Sequence, residues 1–434
     1  MERETGLSYT AGSLPSAALI EGSLDMFAAY RAPGSGEAEE AAKLREAEEA
    51  LLRLERGVCC TGPCSTATGP TEPLSANVTA VAWAGLRSSD LVALCATADR
   101  RLRLFGGEGE VLAELSGLSS PLLGLDVDAF AAGVADGRGA RRQPVLATAM
   151  GGEVLVLWLV RPSSQDPDDT DGGEGAWALE LGQRFKDHAK HATGGRFAPP
   201  AEEGQPSTHF VTVSRDHQAN LYVRDAGDPV GAFSLAGSAS FPGEVTCCCW
   251  ASDRTFVLAV REDHHLHYWD VDGGSDGAAA GPHERLKTNL NALGDSVVSF
   301  AVLAMAISPD RELLVVCTDK SRVIVLQTFT GRQLRNLYGA VVDEYDTPSV
   351  CFSHDRSFLY VTSSVPMRGR RSGDEEVDSE VAAMCGEVLI FEVRSGEVML
   401  RLPCHRKPVR CLARHPHTEA LVTGSFDRAV RYWG

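Results

Sequence analysis

Three groups of side chains in the sequence have the chemistry of metal ligands or nucleophiles. The first is His264, His265 and His267, whose imidazole nitrogens are common zinc ligands. A β-strand places His265 and His267 on one face and His264 on the other, because side chains alternate along a strand. We therefore interpret this run as a polar strand and predict no metal there.

The second group, Cys404, Cys411, His415 and His417, also carries zinc-ligand chemistry. Because His415 precedes a proline where a turn is expected, we assign these residues to structure rather than to a metal.

The third group is the segment 273–277, whose letters fit the G-x-S-x-G pattern of serine hydrolases. A nucleophilic serine requires a strand-turn-helix elbow, but Ser275 follows a strand end and runs into Ala-Ala-Ala-Gly-Pro. No phosphate-binding or dinucleotide motif occurs in its proper context. We predict no catalytic residue, no cofactor and no bound metal.

Composition narrows the functional classes further. The 434 residues include 41 Lys+Arg and 59 Asp+Glu, which gives a net charge of −18. Nucleic acids and anionic membranes need a basic surface, so we expect neither partner. No apolar run approaches the roughly 18 residues of a spanning helix, and the first residues lack a signal core. We expect a cytoplasmic or nuclear protein without membrane insertion, whose 12 cysteines are reduced and buried.

The first 75 residues differ from the rest of the chain. Apolar residues at helical spacing, Leu44, Leu51 and Leu54 among them, predict one helix over about residues 37–56 between Gly/Pro/Ser-rich stretches. This helix either packs on its own domain or forms a short coiled coil for weak self-association. We assign residues 1–75 to an N-terminal extension and residues 76–434 to a second domain.

From about residue 76 the sequence repeats a pattern of short apolar strands separated by turn residues, which indicates an all-β fold. An aspartate that follows one strand recurs with an aromatic residue six positions later. Four copies have this spacing: Asp99 with Phe105, Asp216 with Tyr222, Asp263 with Trp269, and Asp427 with Trp433. A fifth copy has Gly152 in place of the aspartate, with Trp158. Two weaker units make seven, at about 51 residues each, which suits four-stranded propeller blades with insertions.

The last unit, CHRKPVRCLARHPHTEALVTGSFDRAVRYW, resembles the repeat of the WD-repeat β-propeller family. The resemblance implies a seven-bladed all-β propeller and a buried hydrogen-bonded tetrad of His405, Ser425, Asp427 and Trp433. It also implies that an N-terminal segment supplies the outer strand of the last blade, because the sequence stops after that blade's third strand. The candidates are residues 18–30 and 57–61.

Members of this family act mainly by presenting a rigid surface to other proteins, so the resemblance implies a non-enzymatic scaffold, a subunit of a larger complex. It also implies that the residue before each turn aspartate contacts partners. These residues are Phe426, Glu262, Arg215, Thr318 and Ala98, and Arg406 beside His405 is a further candidate. An aromatic such as Phe426 is a common interface hot spot.

Two alternatives stay open. Phe391, Glu392 and Arg394 fit the end of a box by which some WD-repeat proteins dock the adaptor of a cullin-type ubiquitin ligase. The protein would then be a substrate receptor. An enzyme with a site at the propeller channel is a third class, without a supporting motif. Finally, Ser372 follows three arginines within an acidic insertion and is a candidate phosphorylation site.

Overall fold

The structure is a computed structural model. It describes residues 60–61, 74–85, 92–107, 109–128, 134–135, 141–161, 176–201, 205–225, 227–228, 230–271, 281–291, 294–342, 347–366 and 384–433. The predicted helix over residues 37–56, the candidate closing segment 18–30 and Ser372 lie outside the described residues. The described part of the chain contains 29 strands and no helix, and so no helix that could span a bilayer.

The strands form seven antiparallel sheets, each one blade of a propeller. Blade 7 takes its outer strand, β1 (Cys60–Thr61), from the N-terminal part of the chain. Blade 1 contains β2 (Val78–Ala84), β3 (Val92–Thr97), β4 (Arg101–Phe105) and β5 (Val111–Leu115). Blade 2 contains β6 (Leu122–Val127), the short β7 (Val134–Ala135), β8 (Arg141–Ala149), β9 (Val154–Arg161) and β10 (Ala178–Phe185). Blade 3 contains β11 (Ala192–Phe197), β12 (His209–Ser214), β13 (Gln218–Val223) and β14 (Ser234–Ser240).

The remaining blades follow the same order. Blade 4 contains β15 (Val245–Trp250), β16 (Thr255–Val260), β17 (His265–Val271) and β18 (Pro282–Asn289). Blade 5 contains β19 (Val302–Ile307), β20 (Leu313–Thr318), β21 (Arg322–Gln327) and β22 (Gln333–Tyr338). Blade 6 contains β23 (Val350–Phe352), β24 (Phe358–Pro366), β25 (Met384–Glu392) and β26 (Val398–His405). Blade 7 is completed by β27 (Val409–Arg414), β28 (Leu421–Ser425) and β29 (Val430–Trp433).

The first strands of the blades contact one another in a closed circle, from β2 through β6, β11, β15, β19 and β23 to β27 and back to β2. The sequence prediction of a seven-bladed all-β propeller is therefore confirmed. Within each blade, the turn between the second and third strands lies on one face of the disc, which we call the upper face. The turn between the third and fourth strands lies on the opposite, lower face, because antiparallel neighbours reverse direction.

The hydrophobic core is divided among the junctions between blades. The described residues form seven buried clusters, and each combines apolar residues of two adjacent blades. The cluster between blades 7 and 1, for example, includes Trp83, Phe105 and Tyr432. The indole of Trp83 also donates to the carbonyl of Ala413 across this junction, at 3.1 Å. No blade can bury its apolar faces alone, so the blades stabilise one another in sequence around the ring.

The strand β1 pairs antiparallel with β29, with Cys60 opposite Tyr432 and Thr61 opposite Arg431. This pairing falls within the candidate segment 57–61. It satisfies the backbone groups of an edge strand that would otherwise be open to pairing with another chain. We propose on this basis that the candidate segment that contains Cys60 and Thr61 closes the ring.

Several turns on the upper face place non-glycine residues in the left-handed backbone region, which is unfavourable for residues with a Cβ atom. They are Arg100, His217, Glu262, Ser321 and Arg428, with φ between 54° and 71°. In blade 2 the corresponding turn has Gly152, with φ 81°. A Cβ atom on Gly152 would lie 2.6 Å from the carbonyl oxygens of His188 and Lys190. The close approach of blade 3 therefore requires glycine at the left-handed position, which Arg100, His217 and Arg428 occupy directly after the aspartate in their turns. The equivalent turn bonds, from the Arg100 amide to Thr97 and from the Gly152 amide to Ala149, show that Gly151 and not Gly152 takes the place of the aspartate.

Candidate interaction surface and its supporting network

Blade 7 contains a chain of hydrogen bonds between buried side chains. The indole of Trp433 donates to the hydroxyl of Thr423 at 3.0 Å, and Thr423 Oγ1 lies 2.9 Å from His405 Nε2. The other ring nitrogen, His405 Nδ1, lies 3.1 Å from both carboxylate oxygens of Asp427. A carboxylate only accepts, so Nδ1 carries the proton and Nε2 accepts from the threonine. The chain links the second and third strands of blade 7 to the end of β26, the outer strand of blade 6.

Three of the four predicted tetrad residues belong to this chain, but Ser425 does not. The strand register places Trp433 opposite Leu421, so Thr423 is two residues away along β28 and Ser425 is four. At about 3.4 Å per residue these separations are about 7 and 14 Å, and the indole reaches only the nearer hydroxyl. The assignment of Ser425 was therefore wrong for this contact. Its hydroxyl instead bonds the carbonyls of Lys407 and Pro408 and accepts from the Asp427 amide, which fixes the turn.

Blade 3 contains a second copy of this network that the sequence analysis missed. His188 Nδ1 lies 3.0 Å from Asp216 Oδ2, and His188 Nε2 lies 2.9 Å from Thr212 Oγ1. Tyr222 takes the place of the tryptophan but donates to Asp187 at 2.9 Å. A signal was present, because T-x-S-x-D occurs at residues 212–216 and again at residues 423–427.

The environment sets the charge of these groups. Burial lowers the pKa of His405 and of His188, although the hydrogen bond and charge of the adjacent aspartate oppose the effect. Burial alone would raise the pKa of Asp427, but hydrogen bonds from His405, Arg406 and Ala429 hold it below its usual range. Both networks therefore pair a neutral imidazole with an ionised carboxylate near neutral pH.

The other turn aspartates have different partners. Asp99 of blade 1 accepts from the hydroxyls of Ser75 and Thr97 and lies 3.8 Å from the guanidinium of Arg103. Asp319 of blade 5 accepts from the backbone amide of Ala301 at 2.8 Å. The carboxylate thus keeps its function of joining the turn to neighbouring segments, even where the histidine and tryptophan are replaced.

The turn that the blade 7 network supports displays Phe426 on the upper face. Phe426 is 37% exposed, whereas the side chains of its neighbours Ser425 and Asp427 are held in place by hydrogen bonds to the backbone. The Phe426 amide contacts the carbonyl of Pro408 at 3.4 Å, and the Arg406 amide donates to Asp427 at 3.1 Å. The side chains of Arg406 and Lys407 are exposed beside this turn. We call Phe426, Arg406 and Lys407 the blade 7 patch.

The other predicted contact residues occupy different environments. Arg215 and Glu262 are exposed on blades 3 and 4, and Ala98 is exposed on blade 1. Thr318, in contrast, is fully buried, and its hydroxyl donates to the carbonyl of Arg322 at 2.9 Å. The expectation that Thr318 meets partners was wrong, because it is the last residue of β20 rather than part of the turn.

The candidate adaptor box ends on the lower face, at the turn between β25 and β26. Phe391 is fully buried in the core between blades 5 and 6, and Glu392 is half-buried. Arg394 is exposed in the turn. Phe391 is therefore a structural residue, and of the three only Arg394 is exposed.

A central channel of about 1270 Å³ runs between the first strands of the blades. Asp126 and Asp128 of blade 2 line it, and two nearby carboxylates are a pattern used in general acid-base catalysis. Here, however, Asp126 accepts from the amide of Phe197 and Asp128 from the amide of Ser207, both at 2.7 Å. Burial raises the pKa of Asp126 to about 6, although the charge of Arg196 opposes this. We interpret both carboxylates as ties between blades 2 and 3.

Comparison with known families agrees with this architecture. The family model "WD domain, G-beta repeat" matches residues 234–270 and 396–434. Each matched segment contains the outer strand of one blade and the three inner strands of the next. Together with the seven-bladed ring, these matches show that the chain is a WD-repeat β-propeller, a fold that generally serves as a protein-interaction scaffold. No curated protein was found to match the chain.

Proposed function

We propose that this protein is a non-enzymatic scaffold, a subunit of a larger complex, that binds a partner protein through the blade 7 patch on its upper face. The observation that carries the proposal is the exposed Phe426 on a turn fixed by buried hydrogen bonds. An aromatic side chain held rigidly loses little conformational entropy on binding.

Charge indicates the chemistry of the partner. Arg406 and Lys407 are exposed, and neither forms an ion pair with another described residue. The patch therefore combines an apolar anchor with two positive charges. It suits a partner segment that carries an apolar side chain close to acidic residues.

The test is affinity purification with mass spectrometry from the native source, with the wild type, Phe426→Ala and Phe329→Ala. Phe329 is a matched control, since it is 49% exposed but lies on the lower face, in the turn between β21 and β22. We expect Phe426→Ala to lose a defined set of partners that the wild type and Phe329→Ala retain. The proposal fails if both variants retain the same partners as the wild type.

The substrate-receptor function is the second candidate, and the exposed position of Arg394 on the lower face supports it. In the same experiment, Arg394→Ala would then lose a ubiquitin-ligase adaptor, while Phe426→Ala would keep the adaptor and lose the substrate. If Arg394→Ala purifies with the same proteins as the wild type, the receptor function is excluded for this surface.

A further inference from the structure

The turn that leads into the third strand of blade 4 brings three metal-ligating side chains together. Asp263, His264 and His265 each offer one ligand atom, and these atoms all lie within 4.8 Å of one another. The alternation of a strand separates His264 from His265 only if both belong to the strand. Because β17 begins at His265, His264 is a turn residue, and the two imidazole centroids are 4.0 Å apart.

The distances suit a small cation. Asp263 Oδ1 lies 2.9 Å from His265 Nδ1 and 4.0 Å from His264 Nδ1. Zinc binds nitrogen and oxygen at about 2.0–2.2 Å, so ligand atoms around it are about 3.3 Å apart. Since all three ligand atoms lie within 4.8 Å of one another, ring displacements of up to about 1.5 Å achieve this arrangement.

One of these ligand atoms lacks a partner. His264 Nδ1 is buried and makes no hydrogen bond within the described residues. A buried polar atom normally has a partner, and leaving it without one costs about 1–3 kcal/mol. A cation at the centre of the cluster would satisfy this nitrogen. His265 would then carry its proton on Nε2 and present Nδ1 to the metal.

The cluster also has the supporting contacts of a metal site. The second carboxylate oxygen of Asp263 lies 2.9 Å from His267 Nε2, and His267 Nδ1 lies 2.8 Å from Glu284 Oε1. Such outer partners orient metal ligands and are a regular part of metal sites. The His265 amide donates to Asp263 at 2.9 Å, and the Leu290 amide donates to the His264 carbonyl at 2.8 Å, which fixes the turn.

We propose that Asp263, His264 and His265 form a binding site for a zinc-class divalent cation on the upper face of blade 4. Two imidazoles and one carboxylate are the donor set that suits first-row metals such as zinc, rather than calcium or magnesium. The cluster is partly exposed, so its remaining coordination positions are open to water or to a ligand from outside the chain. This site does not depend on the function proposed above.

The test is titration of the reduced, metal-free protein with Zn²⁺ by calorimetry and with Co²⁺ by absorption spectroscopy. We expect one equivalent to bind, with a cobalt spectrum that lacks thiolate charge-transfer bands. Burial raises the pKa of Cys247 and Cys411 to about 12, which disfavours the thiolate form that binds metals, and the cobalt spectrum reports directly whether a thiol is a ligand. A thiolate spectrum, or no binding, overturns the proposal.

Variants locate the site. His264→Gln/His265→Gln should weaken Zn²⁺ binding by at least about 100-fold, because loss of an outer partner alone costs 10–100-fold. His354→Gln/His417→Gln removes two exposed histidines elsewhere and should bind like the wild type. Equal affinities in the two double variants overturn the assignment. If the first variant does not fold by circular dichroism, the electron paramagnetic resonance spectrum of the Cu²⁺-loaded wild type decides, since the site requires coupling to two nitrogens.

Discussion

The Thr423 hydroxyl occupies the centre of the blade 7 network, and replacing it with valine tests whether the network stabilises the fold. Valine has nearly the same shape as threonine, so Thr423→Val removes the hydroxyl without opening a cavity. The substitution leaves the Trp433 indole N–H and His405 Nε2 without partners, because both bond to this one oxygen.

The magnitude follows from these two orphaned groups. A buried donor or acceptor left without a partner costs about 1–3 kcal/mol, so the two orphaned groups of Thr423→Val should lower the free energy of unfolding by about 2–6 kcal/mol. Thr212→Val in blade 3 should cost less. Tyr222 bonds Asp187 there, and the Asn220 amide lies 3.5 Å from His188 Nε2 as a substitute donor.

A third threonine supplies the control. Thr148 is only 1% exposed, and its hydroxyl makes no hydrogen bond within the described residues. Thr148→Val should therefore be neutral or slightly stabilising. The assay is guanidinium unfolding of the three variants at pH 7.5, followed by circular dichroism. The reasoning is refuted if Thr423→Val and Thr148→Val change the free energy of unfolding equally.

Two further predictions concern the turn of blade 2 and the response to acid. Gly117→Ala, with a φ of 77° and open space around the new Cβ, should cost only the backbone strain of about 1–2 kcal/mol. Gly152→Ala should cost more than this, because its Cβ would also meet two carbonyl oxygens, and equal melting temperatures for the two variants would contradict this reasoning. Because the pKa values of His405 and His188 are lowered in the folded state, the unfolded chain binds more protons below about pH 6.5, and stability should fall as the pH decreases from there. The loss of unfolding free energy at pH 5.5 is at most about 1.4 kcal/mol per histidine. The unfolding free energy of His188→Gln/His405→Gln should therefore depend less on pH between 7.5 and 5.5 than that of the wild type. An unchanged dependence on pH would count against neutral histidines in the folded state.

The repeat pattern was visible in the sequence because an aspartate and an aromatic residue at fixed spacing mark the same turn in each blade. The choice between Thr423 and Ser425 was not visible, since both lie on one face of a strand and only the register decides which hydroxyl the indole reaches. The role of Asp126 and Asp128 depends on amides of the next blade, which a linear pattern does not reveal.

The histidines of blade 4 show a second case in which the sequence alone did not predict the arrangement of side chains. Alternation along a strand was the right rule for His265 and His267, but it did not apply to His264, because the strand begins one residue later. Local rules fail most readily at the ends of elements, and both candidate surfaces of this protein are built from such ends.

The left-handed turn residues of the upper face have a consequence for protein engineering. Glycine would occupy these backbone angles without strain, whereas a residue with a Cβ atom loses about 1–2 kcal/mol there. Glycine also makes the unfolded chain more flexible, at a cost of about 0.5–1 kcal/mol, so replacing Arg100, His217, Ser321 or Arg428 by glycine should stabilise the disc by at most about 1 kcal/mol per turn. The same replacements would remove one side chain from each of four turns on the upper face, so strain in these turns is the cost of displaying a side chain there.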